Sequence, residues 1–178
     1  MNKREQIDDE LLVLRAQTGD SDAMGRLVER WQPRLWAFAR VLTGDDEGAW
    51  DVMQEVWVAV IGGLPRLEDP ARFRPWIFRI VRYKAADRIR SNQRQRKLLR
   101  ERAANPGQVT TAAANEVREL LSAMPEQDGS LLALHYLEGV DYEELAAILD
   151  VPLGTVKSRL YKARQEFKKM LEHGHGRV

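Results

Sequence analysis

The chain is 178 residues long, 44% hydrophobic and 31% charged, with a net charge of +1. That is the balance of a soluble globular protein, long enough for one medium domain or two small ones. A mean hydropathy of -0.47 and the lack of any long uncharged apolar run exclude a transmembrane helix, and the absence of cysteine excludes disulfides and cysteine-held zinc. The residues after Met1 lead into acidic positions rather than an apolar stretch, so no secretory signal and a cytoplasmic location are expected.

The small net charge hides a strong segregation. Residues 43–58 hold five carboxylates and no Lys or Arg, whereas residues 72–102 hold twelve basic residues and two acidic ones. Residues 138–150 are acidic again, five to none, and residues 154–169 basic again, six to one. Such a distribution points to separate partners for separate faces.

The hydrophobic period is helical nearly throughout, so the fold class is all-α. A first helix is expected over about Asp8 to Thr18, then a turn with capping residues at Gly19-Asp20-Ser21. A long helix covers about Ala23 to Leu42, and Thr43 to Asp46 breaks and recaps the chain. A third helix runs from about Glu47 to Ile61 and ends at Gly62-Gly63. After the loop Leu64 to Pro70, a fourth starts near Ala71 and continues past Ser91. All five tryptophans fall in this half and are expected mostly in the core. Residues 98–114 have few large apolar groups and read as a flexible linker. Shorter helices follow, over about Asn115 to Ala123, Glu126 to Leu137, Tyr142 to Leu149 and Gly154 to Leu171, before a disordered tail from His173. The expected organisation is therefore a domain over 8–97, a linker over 98–114 and a second domain over 115–172.

The most specific stretch is Tyr142 to Arg164. It reads as a short helix, a tight turn at Asp150-Val151-Pro152 and a longer basic helix, which is helix-turn-helix geometry. Leu145, Ile148 and Leu149 form the packing face of the short helix, and Ala146 is small where the helices must approach. At about 100° per residue, Val156, Leu160, Ala163 and Phe167 fall within about 60° of one another and face the core. The opposite face carries Ser158, Tyr161 and Gln165, flanked by Lys157, Lys162 and Thr155, and suits a major groove. Arg159 and Arg164 point sideways, toward phosphates or intradomain partners. The competing reading is a solvated basic helix in a bundle.

Two further patterns lie in the first half. In the fourth helix Phe73, Ile77, Ile80 and Val81 form an apolar stripe, with Arg79, Arg82, Ala86 and Arg90 opposite and Trp76 and Tyr83 on one edge. Aromatic rings beside arginines can stack unpaired bases, or the rings can simply close the core. In the third helix Asp51, Gln54 and Glu55 share one face, with Val52, Val56, Ala59 and Val60 on the packing side. That face suits a protein interface, or is an ordinary solvated acidic surface.

Gly154 to Arg159, preceded by Tyr142 to Ala147 and the turn, resembles region 4 of extracytoplasmic-function sigma factors of the sigma-70 family. Pro65 to Asp87 resembles regions 2.3 and 2.4 of the same family, and Asp51 to Trp57 resembles region 2.2. The resemblance covers about residues 8–172 and implies two sigma domains joined by the linker, region 2 and region 4. It implies an alternative sigma factor that binds core RNA polymerase and directs promoter-specific initiation. The C-terminal helix would read the minus-thirty-five element through Thr155, Lys157, Ser158, Arg159, Tyr161 and Lys162, with His135 near the DNA backbone. Trp76, Arg79, Arg82 and Tyr83 would hold the melted minus-ten strand, and a loop over about Gly63 to Arg72 would capture a flipped base. The sequence departs from the family at Tyr83, where Asn is common, which bears on the downstream base preference. Asp51, Gln54, Glu55 and Trp57 would dock on the β′ clamp helices of the polymerase. An anti-sigma factor is an expected partner, and no membrane insertion is expected.

Two rival classes stand beside this reading. An enzyme would need a use for Asp45, Asp51 and Glu55 as metal carboxylates. No matching ligand cluster, glycine-rich phosphate loop or nucleophile setting accompanies them, so no catalysis, metal or cofactor is expected. A free-standing helix-turn-helix regulator would hold a specific duplex without polymerase.

Overall fold

The computed structural model describes residues 3–100 and 114–174. Among them the regular elements are all helical: α1 (Lys3–Gln17), α2 (Ser21–Thr43), α3 (Asp46–Gly63), α4 (Phe73–Arg100), α5 (Ala114–Ala123), α6 (Glu126–Leu132), α7 (Tyr142–Leu149) and α8 (Leu153–Gly174). Short 3-10 turns at Leu64–Arg66 and Pro70–Arg72 link α3 to α4.

The caps explain most of the boundaries. Asp20 accepts the Ala23 N–H at 3.0 Å at the start of α2 and is held by Arg15 at 2.6 Å. These two contacts place its carboxyl below the ordinary range, the Ala23 N–H contributing most. Gly44, in the left-handed region at φ 82°, ends α2 by donating to the Arg40 carbonyl. Asp45 then caps α3 by accepting from Gly48 N–H at 2.6 Å. Before α7, Asp141 and Glu144 form a reciprocal capping box.

Four expectations shift. The first helix starts at Lys3 rather than about Asp8, about one and a half turns earlier, supported by a Gln6–Glu10 side-chain bond of 3.1 Å. The expected helix Glu126 to Leu137 divides: after Leu132 the chain winds as a π turn over Ala133–Leu137, and Glu138 N–H reaches the Ala133 carbonyl at 3.2 Å. At the other end of the basic run, α4 continues to Arg100, three residues into the expected linker, and α8 takes up His173 and Gly174. The rest of the expected linker and tail lies outside the described residues.

The first unit, α1 to α4, packs around Trp31, which is fully buried. Its indole meets the rings of Phe73 at 5.6 Å and Phe78 at 6.0 Å edge-on, and Phe38 meets Phe78 at 5.4 Å. Such edge-to-face pairs add roughly 0.5–1.5 kcal/mol each beyond area burial. Phe78, absent from the apolar stripe read in the sequence, is as buried as Ile77.

The second unit, α5 to α8, closes over Leu131, Leu134, Leu145, Ile148, Val156, Leu160 and Ala163. Its helices approach closely at Gly129, where a Cβ would lie 2.2 Å from the Leu121 carbonyl oxygen. Only a residue without a side chain lets α6 cross the end of α5 so closely. The units also touch each other: α7 lies against α4, and α5 and α6 lie against α2.

Gly129→Ala therefore tests the second unit's packing. The clash is with backbone, so relief requires α5 and α6 to separate, at a cost of about 1–3 kcal/mol. Thermal unfolding of the full chain should shift down by several degrees; an unchanged midpoint would contradict this crossing.

Candidate nucleic-acid and partner interfaces

The helix-turn-helix is built as its residue pattern predicts. Leu145, Ile148 and Leu149 of α7 are buried, and Asp150 turns the chain in the left-handed region at φ 56°, a conformation Asp tolerates better than most residues. Val151 N–H returns to the Ala146 carbonyl at 3.2 Å, and Thr155 N–H takes the Pro152 carbonyl at 2.8 Å to open α8. On α8, Val156, Leu160 and Ala163 are buried, and Phe167 packs against them. The opposite face stands in solvent: Lys157, Ser158, Tyr161 and Lys162 are exposed, Tyr161 at 64%. Thr155 and Arg159 flank it half-buried. Arg164 turns inward, over the Tyr136 ring at 5.4 Å and to the Tyr142 hydroxyl at 3.5 Å, so it is an intradomain residue. The Tyr142 hydroxyl bond is the chief cause of its raised pKa.

His135 is half-buried in the π turn. Its Nδ1 lies 2.9 Å from the Val140 carbonyl, and its ring stacks on Tyr142 at 5.2 Å and meets Tyr136 edge-on at 4.8 Å. Nδ1 therefore carries the proton and donates. These contacts tie the π turn to the start of α7.

At the α3–α4 junction the two 3-10 turns wrap an open cavity of about 730 Å³, lined by Gly63, Arg66, Leu67, Glu68, Asp69, Arg72 and Trp76. Gly63 leaves room there for the Trp76 ring, which a Cβ would approach to 3.0 Å and push by a few tenths of an ångström. Gln17 of α1 braces the turn by donating to the carbonyls of Leu64 at 2.9 Å and Leu67 at 2.7 Å. Trp76 is half-buried against Phe73 and forms a wall of the cavity. One and two turns further along α4, Arg79 lies over the Tyr83 ring at 5.6 Å and donates to its hydroxyl at 3.3 Å. That bond is the main reason its pKa is raised. Tyr83 is exposed and Arg82 half-buried. Trp76 and Tyr83 thus share an edge but serve different neighbours, one the cavity and one Arg79.

On α3 the expected face exists, with a different composition. Gln54 is exposed, but Asp51 pairs with Arg88 at 2.5 Å and Glu55 with Lys84 at 3.1 Å, both on α4. Trp57 is half-buried against the core. The freely presented groups are apolar: Trp50, Val58 and Ile61 are 48%, 72% and 62% exposed. Sequence reading missed them, although at about 100° per residue they fall within about 80° of one another, alongside Gln54. Trp50 packs against Trp36 with the rings tilted and their centroids 5.8 Å apart, which holds it at the surface. A second apolar surface lies between α5, the π turn and α8, a groove of about 270 Å³ lined in part by Leu121, Tyr136, Leu137 and Phe167. Among the described residues no group of His, Asp and Glu is arranged to hold a metal, and no helix is long and apolar enough to cross a membrane.

Comparison with known proteins agrees with both halves. The family model for sigma-70 region 2 matches residues 27–95, and that for sigma-70 region 4 matches residues 114–167. The chain is 30% identical to the ECF RNA polymerase sigma-E factor of Escherichia coli, over 90% of this chain and 93% of the relative. It is 28% identical to the sigma-E factor of Haemophilus influenzae, over 94% and 97% respectively. Among solved structures it is similar to CnrH in complex with the cytosolic domain of CnrY, with a TM-score of 0.71, 28% identity, and 93% of this chain and 98% of the other covered. It shares its fold with the sigma factor RpoE of Bartonella quintana, solved with the anti-sigma factor NepR, with a TM-score of 0.72, 23% identity, and 84% of this chain and 96% of the other covered. The chain belongs to the sigma-70 family, as an extracytoplasmic-function sigma factor.

Proposed function

We propose that this sigma factor binds core RNA polymerase through α3 and reads promoter DNA at two points, one on each unit. The observation that carries the reading is the division of α8: one side is buried in the helix-turn-helix, and the other presents Lys157, Ser158, Tyr161 and Lys162 to solvent. A helix so divided fits a major groove, where hydrogen-bonding side chains meet base edges and cations meet phosphates. In this reading α8 takes the minus-thirty-five element. Thr155 and Arg159 contact its borders, and His135 holds the π turn beside the backbone. Residues 8–97 and 115–172 are the two working domains.

The cavity at the α3–α4 junction takes a base flipped from the minus-ten element. Its volume of about 730 Å³ is within the range of small-ligand sites, and its walls combine the Trp76 ring with the cations Arg66 and Arg72. Stacking on aromatic rings holds an unpaired base with ~1–3 kcal/mol and tolerates different bases. Arg79, Arg82 and Tyr83 continue this surface along α4 for the opened strand. Much of the affinity comes from counterion release, so promoter binding falls steeply with salt. Polymerase tethers both weak sites and raises their effective concentration.

Docking on the β′ clamp is assigned to the exposed stripe Trp50, Gln54, Val58 and Ile61, with Asp51, Glu55 and Trp57 supporting it. Because Asp51 and Glu55 are paired to α4, their carboxylates set the angle between α3 and α4 as much as they offer contacts. Catalysis belongs to the polymerase. An anti-sigma factor is the regulatory partner, a reading in keeping with the similar structures of RpoE, solved with the anti-sigma factor NepR, and CnrH, solved with the cytosolic domain of CnrY.

Two substitutions separate the interfaces. Lys157→Ala with Tyr161→Ala should lower run-off transcription from a cognate promoter about 10-fold or more, since each base or phosphate contact contributes ~1–3 kcal/mol, and should leave core-polymerase affinity unchanged. Loss of polymerase affinity in this variant would count against the assignment of α8. Val58→Asp with Ile61→Asp should weaken core binding at least about 10-fold without changing the thermal midpoint, because both side chains are exposed. Unchanged core affinity would remove α3 as the docking helix.

A further inference from the structure

The cavity at the α3–α4 junction is walled by chain with little helical ladder of its own. Between the two 3-10 turns, Leu67, Glu68 and Asp69 belong to no regular element. The first turn closes with the Leu67 N–H on the Leu64 carbonyl at 3.0 Å, and the second with the Arg72 N–H on the Asp69 carbonyl at 2.9 Å. Neither bond fixes how one turn stands against the other. Arg66, Glu68, Asp69 and Arg72 line the cavity and are exposed, so burial does not hold them either.

A side chain from another helix spans this stretch. Gln17, the last residue of α1, is half-buried, and its Nε2 donates to the Leu64 carbonyl at 2.9 Å and the Leu67 carbonyl at 2.7 Å. A side-chain amide nitrogen has two hydrogens, and here each meets a carbonyl. The two carbonyls bracket Arg66, and the second leads directly into Glu68. Gln17 thus stands behind the wall and holds it at both ends of the first turn. Its own helix is a firm base. Arg30 of α2 takes the Asp9 carboxylate at 3.1 Å and the Glu5 carbonyl at 3.2 Å, and Leu12 and Val13 are buried. At the far end Arg15 holds Asp20 at 2.6 Å, and Gly19 turns the chain at φ 90°. So anchored to α2, α1 packs against both 3-10 turns.

We propose that Gln17 is a positioning residue for base selection. By holding the Leu64 and Leu67 carbonyls, it sets where Arg66, Glu68 and Asp69 stand against a base stacked on Trp76, and so which base the cavity prefers. The inference rests on the base-capture reading above. Stacking on an aromatic ring accepts any base. Preference needs charged and hydrogen-bonding groups at fixed points around the base edge, and a site about 1 Å too loose loses it. Without the strut the Trp76 ring keeps its packing on Phe73, at 6.0 Å between centroids. Binding therefore persists while selectivity falls, which separates a residue acting through the turn from one that touches DNA.

The test uses holoenzyme assembled from the full chain and core polymerase. The probes are labelled single-stranded DNAs spanning the minus-ten element of a promoter found by run-off transcription, with all four bases at each position. The parent protein should discriminate at one position whose preference is lost in Trp76→Ala, which marks the captured base. Gln17→Met, similar in length and without a donor, should lower the ratio of best to worst base there about 10-fold. Ratios at the other positions and core affinity should stay unchanged. Gln17→Glu, which keeps the shape but turns oxygen toward both carbonyls, should do the same. Gln17→Lys, whose ammonium donates to both, should restore most of the preference, which a merely destabilised fold would not allow. The proposal is overturned if Gln17→Met and Gln17→Glu keep the parent profile, if they flatten every position alike, or if Gln17→Lys recovers nothing. If instead no position responds to Trp76→Ala, base capture itself fails and takes this inference with it.

Discussion

The placement of α4 depends on one contact, the burial of the Trp31 indole between Phe73 and Phe78. With those two rings and Ile77 and Val81 turned inward, the helix has no rotational freedom left. Arg79, Arg82 and Tyr83 are then forced outward, and Trp76 is forced against the 3-10 turns that shape the cavity. Loss of a buried Phe ring costs roughly 3–5 kcal/mol, a large part of a domain's net stability. The same aromatic cluster therefore holds the fold and aims the surface groups.

The segregated charges are spent partly inside the molecule. The acids of α3 pair with the basic run of α4, through Asp51–Arg88 and Glu55–Lys84, and the acids of residues 138–150 pair with Arg34, Arg74 and Arg79. Exposed pairs of this kind contribute little, ~0–1 kcal/mol each. Arg74 differs because it is buried, and desolvation pulls its pKa down while Glu144 opposes the shift. Among the described residues, the apolar stripe of α3 and the face of α8 that the proposed reading assigns to the promoter stand outward. A surface Trp, Val and Ile within one sector of one helix form the apolar patch on which the proposed docking rests.

The sequence's helical period yields every long helix and the buried face of α8, because burial of one side at about 100° per residue leaves a direct trace in residue type. The turn at Asp150 was equally readable from Asp-Val-Pro and the small Ala146. The π turn was not: Ala133 to Leu137 has an ordinary helical pattern, and the extra residue per turn is visible only in the bond from Glu138 to Ala133. Arg74 also escaped, since an arginine in a basic run reads as exposed, and its partner Glu144 is seventy positions away in the chain. Asp51 and Glu55 were correctly placed on one face, but periodicity says nothing of the α4 cations that meet them. The family matches over 27–95 and 114–167 agree with the two blocks that the motifs marked out.

The central claim is that this chain gives core polymerase a promoter preference. The most direct measurement is binding of the purified chain to bacterial core RNA polymerase, followed by run-off transcription on genomic fragments from its host. A stable complex that starts transcription at a shared pair of upstream elements is the predicted result. A folded, inhibitor-free chain that fails to bind core, yet holds a specific duplex by itself, would contradict the account.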